Sequence, residues 1–294
     1  MRIGIDIGGT FTDFVTFDEQ SGIFETDKVL STPQDPANAL LTELERMHPA
    51  TQPYIVHGST VATNAILERK GARTALISTR GFRDVLAIGR QVRRDLYDFC
   101  NTRPQPLVPD EGRLEITERV DHRGRVLTPL NEDEIPILID KLRIMDVESI
   151  AVCLLFSFMH PDHEQIITQA LRQAGFTVSP SCEVLPEFRE YERTSTTVIN
   201  AYVSPIVDRY LRQLEERLEV ADFHIMQSNG GSIRAAEARA GAVRSILSGP
   251  AGGVVGAFHV AQAASFEQII SFDMGGTSTD VSLCDGAIRV TNEA

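Results

Sequence analysis

Apolar and polar residues alternate at the start of the chain. Three such stretches, 2–7, 12–18 and 23–31, predict a β-meander. Residues 35–47 then carry apolar side chains at helical spacing. Pro36 stands early in that helix, where its missing N–H costs nothing. Tyr54-Ile55-Val56 predicts a short buried strand, residues 61–69 a helix stopped at Gly71, and residues 74–78 another strand. Between 90 and 130 the period is lost. Arg90, Arg93, Arg94, Asp95, Tyr97 and several prolines read as an irregular excursion, either a solvated insertion or a functional loop. Residues 131–145 predict a helix whose acidic first turn complements the helix dipole. The unbroken apolar run 150–158 predicts a central strand covered on both faces. A helix over 163–174, stopped by Gly175, and a strand over 176–179 follow.

Beyond these, residues 194–218 read as one long helical region, broken or kinked near Pro205. Residues 223–227 predict a strand ending at Ser228-Asn229-Gly230-Gly231-Ser232, and residues 235–242 a helix. Ser248-Gly249-Pro250-Ala251-Gly252-Gly253 opens a further helix over 254–264. This order predicts an α/β protein with mixed sheets flanked by helices.

At 294 residues the chain exceeds a typical single core, so two domains are expected. A net charge of −13 argues against a nucleic-acid surface. Cys100, Cys153, Cys182 and Cys284 are scattered, which indicates neither a zinc site nor a disulfide framework. No apolar run is long enough to cross a membrane and no signal peptide precedes the first strand, so a cytoplasmic protein is expected.

Candidate chemistry enters through a repeated phrase. Asp6-Ile7-Gly8-Gly9-Thr10-Phe11-Thr12-Asp13 recurs as Asp273-Met274-Gly275-Gly276-Thr277-Ser278-Thr279-Asp280, with differences only at Ile7/Met274 and Phe11/Ser278. Apolar runs flank each copy, giving strand, glycine turn, strand, used twice. Adjacent glycines permit φ > 0 and close backbone approach. Their N–H groups can make an anion nest, with Gly8, Gly9, Thr10 and Thr12 facing phosphate from one turn and Gly275, Gly276, Thr277 and Thr279 from the other. Asp6 and Asp273, at strand ends, are candidates to hold hydrated Mg²⁺, which favours one or two carboxylates plus phosphates. Asp13 and Asp280 end the turns, where they could hold a water beside the cation or pin the hairpin, and they complete the candidate catalytic set. An ordinary β-hairpin is the alternative for each copy alone. No Walker loop occurs, and no Gly-x-Gly-x-x-Gly opens a helix after the first strand.

Other motifs carry two readings each. Thr60, Thr63 and Asn64 follow His57-Gly58-Ser59 and could contact substrate or a terminal phosphate, or Ser59 and Thr60 could cap a helix. Asn229 and Gly230 could contact a ligand or form a hairpin turn. Glu187, Glu190, Glu192 and Arg193 read as a solvated, capped helix start rather than a substrate contact. His160 and His163 read as surface residues at a helix N-terminus rather than a metal pair.

The two aspartate-glycine turns resemble the phosphate loops of the actin, sugar kinase and heat-shock ATPase superfamily. More narrowly, the chain resembles the hydantoinase/oxoprolinase family, A-type subunit. The carriers are residues 4–13, His57-Gly58-Ser59-Thr60-Val61-Ala62-Thr63-Asn64-Ala65, Glu68-Arg69-Lys70-Gly71, residues 190–198 and Ser248-Gly249-Pro250-Ala251-Gly252-Gly253. The resemblance spans essentially the whole chain. It implies two RNase-H-like domains facing one nucleotide: an N-terminal domain over 1–185 with the first phosphate loop, and over 186–294 the start of a second, incomplete domain with the second loop. The helix from Gly252 resembles the superfamily's interdomain contact helix. Relatives are longer, and the loop that holds adenosine is expected beyond residue 294. The implied activity is ATP-dependent opening of a cyclic amide or imide of hydantoin or 5-oxoproline type, by phosphorylation of the lactam oxygen, with Mg²⁺ and a B-type partner subunit. A ketone carboxylase subunit and a non-enzymatic actin-like module are the alternatives.

Overall fold

The computed structural model describes residues 1–32, 36–47, 53–92, 97, 104–218, 222–274 and 279–290. The chain forms two compact units. One comprises residues up to Leu67 together with those from Ile206 onward; the other is Glu68–Pro205. The boundary expected at 185–186 falls inside the second unit.

The first unit opens with β1 (Arg2–Ile7), β2 (Phe11–Phe17) and β3 (Phe24–Leu30), then α1 (Pro36–Met47), β4 (Tyr54–Ser59) and α2 (Val61–Leu67). The expected meander is present, with β1–β2 and β2–β3 antiparallel. Ile3, Ile5 and Ile7 are buried on one face of β1, and Thr12 and Phe14 on the same face of β2, as period-two alternation dictates. Ala37, Leu40, Leu41 and Leu44 bury the inner stripe of α1, which lies against β1 and β3.

The second unit holds β5 (Thr74–Thr79), α3 (Val85–Ile88), β6 (Arg113–Ile116), β7 (Arg119–Val120), β8 (Val126–Thr128), α4 (Glu134–Ile144), β9 (Ser149–Cys153), α5 (Asp162–Gln173), β10 (Thr177–Pro180) and α6 (Ser181–Val184). It also holds the first part of α7 (Glu190–Leu218). Its four-stranded sheet, ordered β10-β9-β5-β6, is parallel throughout. Ala75, Ile77, Ile150 and Val152 face Leu138, Leu142, Ile167 and Leu171 of α4 and α5. Leu76, Ala151 and Cys153 face Val198 and Ala201 of α7.

Four expectations are corrected in this unit. Within the presumed excursion, Arg113–Ile116 is a sheet strand and β7–β8 a hairpin. The strand is too short to show a period: only Leu114 and Ile116 are apolar, and Arg113 pairs with Asp84 and Asp110. Arg93, Arg94 and Asp95 lie outside the described residues.

Second, the apolar run 150–158 leaves the sheet after Cys153. The Leu154 N–H donates to Glu164 at 2.7 Å, its carbonyl accepts from Arg193 at 2.8 Å, and the Leu155 N–H donates to Thr79 at 3.0 Å. Side chains, not a strand ladder, satisfy this backbone. Third, Arg193 is therefore not solvated but 1% exposed, bonded also to Ser157 and Ser181. Fourth, His163 is buried, with Nδ1 2.9 Å from Glu118.

α7 runs through Pro205 as one helix that crosses the boundary between the units. After it come β11 (Asp222–Met226), β12 (Ser232–Arg234), α8 (Ala235–Ala240), α9 (Ser248–Ala263), β13 (Gln268–Met274) and β14 (Thr279–Asp285). The strands β11 and β12 extend the first unit's sheet to the order β12-β11-β4-β1-β2-β3. Within it β4 is parallel to both β1 and β11, so the sheet is mixed, as expected. A separate antiparallel pair, β13–β14, packs against α9.

Candidate functional site

The repeated phrase folds twice in the same register. Asp6 stands opposite Asp13 and Ile7 opposite Thr12; Asp273 stands opposite Asp280 and Met274 opposite Thr279. In the first turn the Gly8 N–H donates to the Phe11 carbonyl at 2.9 Å. The Ser31 N–H donates to the Thr10 carbonyl, and the Ser31 hydroxyl to the Gly8 carbonyl. The left-handed glycines expected in this turn are absent. Neither Gly8 nor Gly9 adopts the left-handed backbone. Gly8 is required for space, since a Cβ there would lie 3.1 Å from the Phe11 carbonyl oxygen; at Gly9 it would meet nothing. Gly275, Gly276 and Thr277 lie outside the described residues.

Strand alternation puts Asp6 and Asp13 on the sheet face opposite the buried isoleucines. The Asp6 side chain keeps access to solvent, yet protein atoms crowd it. This partial desolvation, with repulsion from Asp13 and then Asp273, pushes its carboxyl up to about 6. Asp13 is bridged to Lys28 Nζ at 3.0 Å. Among the described residues no donor pairs with the Asp6 carboxylate. Glycines wall it: a Cβ at Gly58, its neighbour in the β1–β4 ladder, would lie 3.0 Å from Asp6 Oδ1, and one at Gly249 3.4 Å away. Asp273 Oδ2 would likewise lie 3.3 Å from a Cβ at Gly253. Among the described residues no three His, Cys, Asp or Glu side chains converge to hold an ion alone. Two mutually repelling carboxylates would suit hydrated Mg²⁺, which keeps several waters and shares phosphate oxygens.

The remaining predicted residues divide. Thr10 is exposed on the first turn and Thr279 at the start of β14. Thr12 is not brought to the carboxylate face: it is fully buried, with its hydroxyl 3.1 Å from that of Ser31. Thr60, Thr63 and Asn64 engage the protein itself. Thr60 Oγ1 donates to the Ile7 carbonyl at 3.1 Å and accepts from Asn64 Nδ2 at 3.2 Å. Thr63 Oγ1 accepts from the Leu247 N–H at 3.2 Å. With Ser248 Oγ, which donates to the Ser59 carbonyl, this motif ties the ends of β1 and β4 to the start of α9. Asn229 Oδ1 accepts from the Gly231 N–H, and Gly230 takes φ +82°, so both shape the β11–β12 turn.

His57 was missed as a structural centre. It is fully buried, with Nε2 2.6 Å from the Tyr210 hydroxyl and Nδ1 3.4 Å from the Ile5 carbonyl, and it stacks on Phe223. Burial pulls its pKa down to about 4, so it is neutral at pH 7. A neutral ring accepts from Tyr210 and points its other nitrogen at Ile5. This fixes β4 beside β1, and with it the approach of Gly58 to Asp6. The available signal was alternation: Ile55, His57 and Ser59 share the buried face.

The chain is similar to the caprolactamase subunit alpha of Pseudomonas jessenii, at 36% identity over 97% of the chain and 43% of that protein. The crystal structure of the ATP-dependent caprolactamase from that organism superposes with a TM-score of 0.83 over 96% of the chain and 43% of its own. A nucleotide-free acetone carboxylase structure, from work on ATP-dependent acetone carboxylation, gives 0.86 at 30% identity, over 98% and 44%. The 5-oxoprolinase 1 of Arabidopsis thaliana is 34% identical over 98% of the chain and 26% of that protein. The chain thus spans less than half the length of these relatives. Their likeness accords with actin-like ATPase-type α/β domains built on mixed sheets. Residues 2–175 match the hydantoinase/oxoprolinase N-terminal region and residues 193–294 the hydantoinase/oxoprolinase domain that follows it, and the chain belongs to the hydantoinase/oxoprolinase family.

Proposed function

We propose that this chain is the phosphate-binding part of an enzyme that uses ATP to open a cyclic amide or imide of hydantoin or 5-oxoproline type. The carrying observation is the pair of turns in identical register, with Asp6 feeling the charge of Asp273. Asp6 and Asp273 would hold hydrated Mg²⁺, and Asp13 and Asp280 would close the turns behind them. Gly8, Gly9 and Thr10, with Gly275, Gly276, Thr277 and Thr279, would present N–H and hydroxyl groups to the phosphates. Bound Mg²⁺ would neutralise phosphate charge. Thr60, Thr63, Asn64, Asn229 and Gly230 would frame the site, the threonines holding the ends of β1 and β4 in place.

The chemistry answers a real difficulty. A lactam carbonyl is a poor electrophile. Transfer of the ATP γ-phosphoryl group to the lactam oxygen activates the ring carbon and releases ADP; one water adds at that carbon, the C–N bond breaks to free the amine and leave an acyl phosphate, and a second water releases phosphate and the open-chain acid. Such transfer depends mainly on positioning and charge neutralisation. The caprolactamase and 5-oxoprolinase relatives favour this reading. The likeness to acetone carboxylase favours a second, in which the same turns serve a ketone carboxylase. A B-type partner subunit and a cytoplasmic setting belong to either reading; among the described residues no helix is long and apolar enough to cross a membrane.

The test is ATP turnover by the complete protein with its partner subunit, across a panel of lactams, imides and ketones. Lactam-stimulated ADP release supports the first reading, and ketone- and bicarbonate-dependent release the second. Turnover that ignores every substrate while surviving Asp6→Asn overturns both.

A further inference from the structure

Glycines 58, 249 and 253 come from two remote segments and converge on two carboxylates. None has a left-handed φ, so conformation does not demand glycine at any of them. Space does. At Gly58 a Cβ would press on Asp6 Oδ1 at 3.0 Å, and at Gly249 it would touch the same oxygen at 3.4 Å. At Gly253 it would press on Asp273 Oδ2 at 3.3 Å. Each is a contact with a carboxylate oxygen, the atom that would carry water or a cation.

The helix α9 supplies its own contrast. Glycine inside a helix is less stable than alanine, so each one there needs a reason. A Cβ at Gly252 would lie 3.0 Å from the terminal methyl of Met226, the flexible end of a side chain that can yield, so packing demands glycine there only weakly. Gly256 has no packing reason, because a Cβ there would meet nothing within 4 Å. Gly253 and Gly256 are both exposed, three residues apart on one helix, and differ in that only the first abuts a carboxylate.

We propose that Gly58, Gly249 and Gly253 are clearance residues: by withholding a Cβ they keep Oδ1 of Asp6 and Oδ2 of Asp273 open to a hydrated divalent cation carrying a nucleotide's phosphates. This rests on the functional reading above and assigns positions that reading leaves without a role. A methyl group at 58 or 253 would occupy the hydration space of the oxygen it faces. The carboxylate would have to turn away or lose a water that Mg²⁺ coordination requires.

The experiment compares Gly253→Ala with Gly256→Ala, and adds Gly58→Ala and Gly249→Ala. Each variant is melted, and its binding of Mn²⁺ in the presence of ADP is followed by loss of the free-ion paramagnetic resonance signal. Gly253→Ala and Gly58→Ala are expected to weaken Mn-ADP binding about tenfold or more, Gly249→Ala less, and Gly256→Ala not at all. Gly253 is an exposed helix position, so its alanine variant should melt no lower than the wild type and carries the test even if the buried Gly58→Ala folds poorly. Wild-type affinity in Gly253→Ala, or equal loss in Gly256→Ala, overturns the proposal alone. A wild-type protein with no saturable Mn-ADP binding overturns the site reading, and the proposal with it.

Discussion

The two carboxylate turns share a register and nearly a sequence, yet differ in what stands behind them. The first is carried by a six-stranded sheet, with Ile3, Ile5, Ile7 and Phe14 packed beneath it. The second sits on a two-stranded ladder. Its inner face, with Cys284, lies toward α9, whereas Ile270, Phe272, Met274, Val281 and Leu283 share an outer face and are all more than half exposed. A turn's chemistry is thus local and can be repeated without repeating its core. The repeated phrase reports where two like turns lie and says nothing of how firmly each copy is held.

The largest expected effect treats the turns as equals. Asp6→Asn and Asp273→Asn should each lower ATP turnover of the complete protein on the order of a hundredfold or more, the scale for losing one preorganised charge contact. A loss confined to Asp6→Asn, measured by ADP release, would break the symmetry and leave the second turn a structural hairpin.

The next prediction separates the turns by their support. Ile5→Ala removes a buried side chain behind the first turn and should cost about 2–5 kcal/mol. Phe272→Ala removes an exposed one behind the second and should change stability by less than about 0.5 kcal/mol. Urea unfolding of both variants decides. A comparable loss for Phe272→Ala would mean that its face is covered in solution.

These differences mark what the sequence made legible. The strands and helices of the first unit were readable because alternation and helical spacing are written in side chains that each meet one core. The twin turns were readable because their Asp, Gly and Thr residues repeat in the same order, and both copies take the same register. What was hidden depends on distant partners. Leu154 and Leu155 look like strand, but Glu164, Arg193 and Thr79 take their backbone groups. β11 joins the first sheet although the second unit's residues intervene before it. Thr12 matches the phosphate pattern, but alternation turns it inward to Ser31.

A smaller effect concerns the anchor of the first turn. Tyr210→Phe leaves the buried His57 Nε2 without its donor and should cost about 1–3 kcal/mol. The pH dependence has a definite sign. Burial lowers the folded His57 pKa to about 4 from 6.5, so the unfolded chain takes up the proton first. Its contribution is fully present above about pH 6.5 and is lost as pH falls toward 4. A melting-temperature profile flat across that window in wild type, after matching carboxylate effects with a His57→Gln control, would contradict a neutral buried ring.

The smallest effect tests whether the turns feel one another at all. The Asp6 carboxyl is raised above its ordinary value, so the folded state binds its proton more tightly than the unfolded state. Stability is therefore lost as pH rises from about 4 to about 6, and stays lost above that. Asp6→Asn should accordingly melt higher than wild type at pH 7, by about 2–4 °C for each kcal/mol of strain relieved, and equal it at pH 3.5. That result reports the crowding of Asp6, in which burial is the first cause and Asp13 the second. The contribution of the other turn is isolated by Asp273→Asn. In that variant the Asp6 carboxyl, followed by carbon NMR, should titrate below 6 yet remain above 3.8, because burial and Asp13 are unchanged. An Asp6 titration identical to wild type would mean that the two turns share no field, and a single cation held between them would then have no electrostatic basis.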